Sequence, residues 1–312
     1  MELVSSECII LRNQDFGERD RLVTFLTAES GRVRGIVKGS RKLTSRGVGS
    51  FEPFGRGLMH YVPKASGGLV TIRKCDPLPP YLYLSGDYDA YLYAGYLSEL
   101  VELCPIESAE AAPLFDLLTE TLNVLCEAGS PRRLPLLRLR FELRFLELLG
   151  VQPHWRQCCR CGRALLAGGM YGEQAGGGQE GGGEDGLGGD GAGEVVGGGE
   201  DAKGDPLAPL TPQTPQTPQT PIAIRAASEA LHGFDPRDGG VVCPTCLESR
   251  RTRLFLPPRS LVFLEQWRGG APGARPSRDT LAALEAAVTE HLLHHLERRP
   301  KSLALLPGLD AL

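Results

Sequence analysis

The chain has 312 residues, 41 % of them hydrophobic and 23 % charged, enough for two or three small domains with cores of their own. Its formal charge is −4, and Met1–Ile10 lacks the basic start of a secretory signal. No stretch approaches the roughly 20 apolar residues of a membrane helix. These features point away from a secreted or membrane-spanning protein and toward a soluble intracellular one, in which Cys8, Cys75, Cys104 and Cys126 stay reduced.

The net charge hides an asymmetry. Residues 167–221 hold nine acids and one base, Lys203, while the first 74 residues hold 13 Lys and Arg against 7 Asp and Glu. A basic N-terminal part calls for an anionic partner, nucleic acid foremost.

Residues 1–80 read as short strands: Ser6–Leu11, Arg21–Thr27, Arg32–Gly39, Phe54–Val62 and Leu69–Cys75. Five strands with a basic surface fit a small barrel such as the OB-fold. Arg32 and Arg34 alternate on one strand and so share a side. Lys38, Arg41, Lys42 and Arg46 continue into a polar loop over 40–50, and Arg12, Arg19 and Arg21 fall in the loop after the first strand. Such a spread of cations suits a phosphate backbone; the plainer alternative is a solvated surface.

From Ser85 the period changes to 3.6. Tyr88, Tyr91, Leu92, Gly95, Tyr96, Leu100 and Leu103 fall on one predicted helical face, with Ser85 and Asp87 as caps. The tyrosines are read as core packing rather than as a stacking platform. Further helices are predicted over Pro113–Ala128, Leu134–Leu149, Ser260–Trp267 and Ser277–Arg298. His291 and His295 stand at i and i+4 in the last of these, but position 292 is Leu, so H-E-x-x-H is absent and both are read as surface or packing residues.

Two cysteine knuckles organise the second half: Cys158-x-x-Cys161-Gly162 and Cys243-Pro244-Thr245-Cys246. Paired C-x2-C motifs predict a tetrahedral metal site, and four thiolates with no open position predict structural zinc, one ion per chain. The alternatives are ordinary reduced cysteines or disulfides. Cys159 is read as a bystander. The knuckles stand 81 residues apart, and the low-complexity tract 168–221, with its TPQTPQTPQTP repeat, accounts for the distance. Lengthening a flexible loop costs only about 0.6 kcal/mol per doubling, so the site tolerates the insertion. The tract's formal GxGxxG has neither a strand before it nor a helix after it, and is not a nucleotide site. No P-loop or GxSxG elbow occurs, and the carboxylates form no catalytic constellation, which by itself does not exclude an enzyme.

These segments resemble, in order, the RecO family of bacterial recombination mediators. The resemblance rests on Glu18-x-Asp20-Arg21-Leu22-Val23-Thr24-Phe25-Leu26-Thr27, Gly31-Arg32-Val33-Arg34, Val37-Lys38-Gly39-Ser40-Arg41 and Phe51-Glu52-Pro53-Phe54. It continues through Leu136–Gly150 into Cys158-x-x-Cys161-Gly162, then Gly239-Gly240-Val241-Val242-Cys243-x-x-Cys246, and ends at His295–Leu303. The insertion is the main departure from it. The resemblance implies an α+β multidomain chain: an OB-fold over 1–80, an all-α domain over 81–157 and 251–312, and a four-cysteine zinc module over 158–250 inserted within it. It implies a cytoplasmic, nucleoid-associated bacterial protein that makes and breaks no bonds. Such a protein binds single- and double-stranded DNA, anneals complementary strands, and with RecR loads RecA onto DNA coated by the single-stranded DNA-binding protein SSB. RecF is a further family partner, and the acidic C-terminal tail of SSB another. For that tail the resemblance singles out Arg140, with Arg138 second, on the helix that offers Leu136, Leu137, Phe141 and Leu143 for packing; otherwise these arginines face solvent or pair with Glu142 and Glu147. Two other classes compete: a zinc-ribbon module acting in transcription or on RNA, and a metal-dependent hydrolase or nuclease, which four thiolates disfavour.

Overall fold

The computed structural model describes residues 2–40, 51–64, 68–79, 84, 86–104, 108–127, 133–167, 225–226, 230–247, 253–269 and 275–307. Arg41, Lys42, Arg46, Ser85 and the insertion 168–221 lie outside them.

The N-terminal part is a closed five-stranded barrel of β1 (Val4–Phe16), β2 (Asp20–Thr27), β3 (Gly31–Val37), β4 (Arg56–Val62) and β5 (Val70–Pro77), in the order β1-β2-β3-β5-β4. The β3–β5 pair is parallel and the others antiparallel, the OB-fold arrangement. Alternate residues fill the interior, among them Ile10, Val23, Phe25, Met59, Tyr61 and Ile72. Their neighbours Ile9, Leu11 and Leu26 point outward, yet are buried because they join the core of the helices that follow. The first strand is longer than its apolar run suggests. It continues past a bulge between Ile10 and Arg12 to Phe16, pairing throughout with β2. Arg12 and Arg21 therefore sit within strands, not in a loop, because backbone pairing with β2 carries the polar residues along.

Three helices come next: α1 (Tyr88–Leu103), α2 (Ser108–Glu127) and α3 (Leu134–Leu148). Asp87 caps α1 by accepting from the Ala90 N–H at 3.1 Å. The buried face of α1 keeps Tyr96 and Leu100 of the predicted one but is turned away from its two leading tyrosines. Tyr93, Tyr96, Leu97, Leu100 and Val101 are buried, whereas Tyr88 and Tyr91 are 74 % and 43 % exposed. The face is turned because α1 is covered by both α2 and α3. The second helix begins earlier than predicted, with Pro113 inside it. A proline near a helix start forfeits one hydrogen bond without breaking the helix.

The cysteine-bearing part follows. It consists of β6 (Leu166–Ala167) paired with β7 (Arg225–Ala226), the sheet β10-β8-β9 built from β8 (His232–Asp235), β9 (Gly240–Val242) and β10 (Leu254–Leu256), and the single turn α4 (Pro244–Leu247). Helices α5 (Pro258–Arg268) and α6 (Arg278–His295) then return to the first three, with Ser277 accepting from the Thr280 N–H as the N-cap of α6. The chain's last described turn, Ser302–Leu305, docks on α1: Glu99 accepts from the Lys301 and Ser302 N–H groups at 3.0 and 2.8 Å.

Candidate metal centre and nucleic-acid interface

The first knuckle is closed by its backbone. The Gly162 N–H donates to the Cys158 carbonyl at 2.9 Å, and Gly162 takes φ +70°, which glycine adopts without steric cost. In the second, Pro244 opens the α4 turn, where its missing N–H is not needed, and the Cys246 N–H donates to the Cys243 carbonyl at 3.0 Å. The knuckles meet. The Sγ atoms of Cys158, Cys161, Cys243 and Cys246 all lie within 4.8 Å of one another, and Cys161 and Cys243 are 3.7 Å apart. Tetrahedral bonds of about 2.3 Å place thiolates about 3.8 Å apart; the Cys161–Cys243 pair stands at that separation, and no pair of the four is more than about an ångström beyond it.

The thiols are electrostatically unequal. Burial pushes the Cys158 thiol up, but N–H groups of Cys243, Arg160 and Cys161 outweigh it and bring it down to about 6. Hydrogen bonding to Cys161 and Cys243 pushes Cys246 up to about 12. Cys158 is thus more acidic than Cys246, and the Cys243 N–H donates to its sulfur at 3.3 Å. Cys159 is outside the cluster: it packs against the core, burial pushes it to about 11, and its N–H donates to the Val241 carbonyl at 2.9 Å. The bystander reading of Cys159 agrees with this placement.

Contacts beyond sulfur hold the halves together. The His154 N–H donates to Gly239 at 2.9 Å, and the Val241 N–H to His154 at 3.0 Å. Between them lies Gly240, where an added Cβ would sit 2.5 Å from the His154 carbonyl oxygen. Sequence reasoning missed Arg160, between the first two ligands. Its guanidinium donates to Asp238, Asp235 and the Cys246 carbonyl. The available signal was an arginine inside one knuckle and two aspartates just before the other.

On the barrel, Arg12, Arg19, Arg34 and Lys38 are exposed. Arg12 and Arg34 both stand opposite Thr24, on either side of β2, which puts them in one row across the outer face. Arg12 also pairs with Glu102 at 3.4 Å. Arg32 is half-buried and engaged: it donates to the carbonyls of Glu102 and of Cys104, the latter at 2.8 Å, satisfying the C-terminal end of α1.

The arginines of α3 divide. Arg138 is 1 % exposed and enclosed by Glu142 at 3.4 Å, Glu285 at 3.3 Å and Thr289 at 3.3 Å, with the Tyr96 hydroxyl donating to Glu142 at 2.6 Å. This network ties α1, α3 and α6. Burial raises both the Glu142 and the Glu285 carboxyl above the ordinary range. Arg140 is buried too, but its partner Glu120, at 3.1 Å, has a half-exposed side chain. Arg144 pairs with Glu147 at 2.5 Å. Of the histidine pair four positions apart in α6, His291 is buried, with Nε2 2.8 Å from the Val151 carbonyl oxygen, and His295 is exposed.

Comparison with known proteins matches both parts of the chain. The family model described as recombination protein O N terminal covers residues 1–81, and that described as recombination protein O C terminal covers residues 85–197. Three proteins named DNA repair protein RecO are similar. That of Syntrophotalea carbinolica is 35 % identical over 162 residues, 52 % of this chain and 62 % of its own length. That of Pelotomaculum thermopropionicum is 33 % identical over 177 residues, 57 % of this chain and 67 % of its own length. That of a Roseiflexus species is 29 % identical over 307 residues, 96 % of this chain and 84 % of its own length. The matched part spans less than two thirds of the Syntrophotalea carbinolica protein. Among the described residues no helix is long and apolar enough to cross a membrane.

Proposed function

Because the chain belongs to the recombination protein O family, we propose that it is a non-enzymatic, DNA-binding mediator of recombinational repair, acting in the bacterial cytoplasm on the nucleoid. In this reading it anneals complementary single strands and, with RecR, loads RecA onto SSB-coated DNA; RecF is a further candidate partner. The observation that carries it is the OB-type barrel whose outer face sets Arg12 and Arg34 in one row, with Arg19 and Lys38 exposed on the same barrel. Cations on rigid strands hold phosphates without reading bases. Arg41, Lys42 and Arg46 are proposed as additional contacts, while Arg32 supports the surface by tying it to α1. A fluorescent strand-annealing assay with DNA and with RNA strands tests the reading. Accelerated DNA annealing supports it; acceleration confined to RNA selects a role on RNA instead.

Zinc is the proposed occupant of Cys158, Cys161, Cys243 and Cys246, since four thiols gathered within 4.8 Å of one another suit a soft, four-coordinate ion. When bound it supplies a cross-link between the knuckles. For the SSB tail, Arg140 is preferred to Arg138. An incoming carboxylate can exchange with the half-exposed Glu120, whereas Arg138 is enclosed on all sides. Titration with a tail peptide should show about tenfold weaker binding for Arg140→Ala, the loss of one charged hydrogen bond.

A further inference from the structure

Two tyrosines of α1 face water, one turn apart on the same side of the helix. Tyr88 is 74 % and Tyr91 43 % exposed, and the Tyr91 ring meets Phe54 of the barrel edge-on at 5.2 Å. Four residues beyond Tyr91 comes Gly95, in the middle of the helix, where glycine is a poor helix former. Packing does not require it: among the described residues, a Cβ added at Gly95 would meet nothing within 4 Å. Tyr88, Tyr91, Gly95 and Glu102 recur at helical spacing and lie along one stripe. At the far end of that stripe Glu102 pairs with Arg12 at 3.4 Å. The stripe thus has aromatic rings at one end, a slot over Gly95 where no described residue would meet a side chain, and an exposed arginine beyond the other end, with Glu99, held by the Lys301 and Ser302 N–H groups, beside the path between them.

We propose that this stripe receives unpaired bases of single-stranded DNA, stacking them on Tyr88 and Tyr91 while Arg12 and the row it shares with Arg34 hold the phosphates. The proposal rests on the DNA-binding reading above and adds a site and a strand preference to it. Rings beside cations are the combination that binds single strands irrespective of sequence, because every base offers a π face while the backbone offers charge. A duplex keeps its bases stacked on one another and cannot use the rings. An uncharged protein ligand would use the apolar rings but would have no need of the adjoining cation row, which a polyanion requires.

The test measures binding of an oligo(dT) strand carrying one 2-aminopurine, and of a DNA duplex of equal length, to the full chain. Tyr88→Ala removes a side chain that is mostly in water, so folding is not at stake. It should weaken single-strand binding about tenfold, the usual effect of losing one stacking ring, and reduce the 2-aminopurine quench, with duplex affinity unchanged. Tyr88→Trp should restore both, and Gly95→Gln, by filling the slot, should weaken single-strand binding as Tyr88→Ala does. Equal single-strand affinity and quench for wild type and Tyr88→Ala would overturn the platform and leave the DNA-binding reading standing. Equal losses for single strand and duplex would overturn it as well, as would a wild type that binds neither, which would also remove the reading beneath it.

Discussion

Arg160 clamps Asp238: its Nε donates to the aspartate Oδ2 at 2.5 Å, across 78 positions of sequence. The same guanidinium reaches Asp235 at 3.2 Å and the Cys246 carbonyl at 3.0 Å. One side chain from inside the first knuckle thus holds the turn before the second and the backbone of its last ligand. This cross-link does not run through sulfur, so it holds the two knuckles together by contacts separate from the four thiols.

Arg160→Ala should therefore retain all four ligands yet hold zinc less well. Loss of such an orienting contact typically costs 10- to 100-fold in metal affinity. Competition with a chromophoric chelator measures it, and wild-type affinity would show the clamp to be idle. Cys243→Ser should lose the metal outright and Cys159→Ser should keep it; metal analysis of the purified proteins decides both.

Barrel cations should appear in the salt dependence. Each single-strand phosphate neutralised contributes about −0.7 to the slope of log affinity against log salt. Arg34→Ala/Lys38→Ala should flatten the slope by about 1.4 and weaken all sequences alike. Anisotropy titrations over a salt series measure this, and an unchanged slope would move the phosphate contacts elsewhere.

The tract between the knuckles should be removable. Its ends are brought together where β6 pairs with β7, with Leu166 opposite Ala226 and Ala167 opposite Arg225. Replacing residues 168–224 with a short Gly-Ser turn joins adjacent strands of one ladder and closes a shorter loop. Metal content and melting temperature should stay close to the parent's. A marked fall in melting temperature would show that the tract contributes contacts to the fold.

His291 predicts an acid-side loss of stability. Burial holds its imidazole well below the ordinary 6.5, at about 4, with the nearby His295 and His294 acting in the same direction. The folded state keeps the ring neutral while the unfolded chain protonates it. As pH falls from about 6.5 to about 4 the unfolded state gains a proton that the folded state refuses, and stability declines; above that window the group contributes no slope. Denaturant melts of wild type and His291→Gln across this range test it. The variant should lose part of the slope, and identical slopes would assign the decline to other groups.

The sequence by itself determined what depends on neighbours along the chain. Alternating Val, Ile and Phe made the barrel strands legible, Asp87 and Ser277 marked helix starts, and two C-x2-C turns declared a four-thiol site, because each signal is completed within a few residues. Only the tertiary structure decided what depends on which elements meet. Arg138 reads from the sequence as one of several arginines on α3, and Glu285, 147 positions away, helps to enclose it. Arg32 reads as a DNA contact, yet the C-terminal carbonyls of α1 occupy it. The tyrosines look alike in sequence, and packing sends Tyr93 and Tyr96 inward while leaving Tyr88 and Tyr91 in water. A side chain's burial is set by the surface that docks on it, and that surface comes from a distant part of the chain.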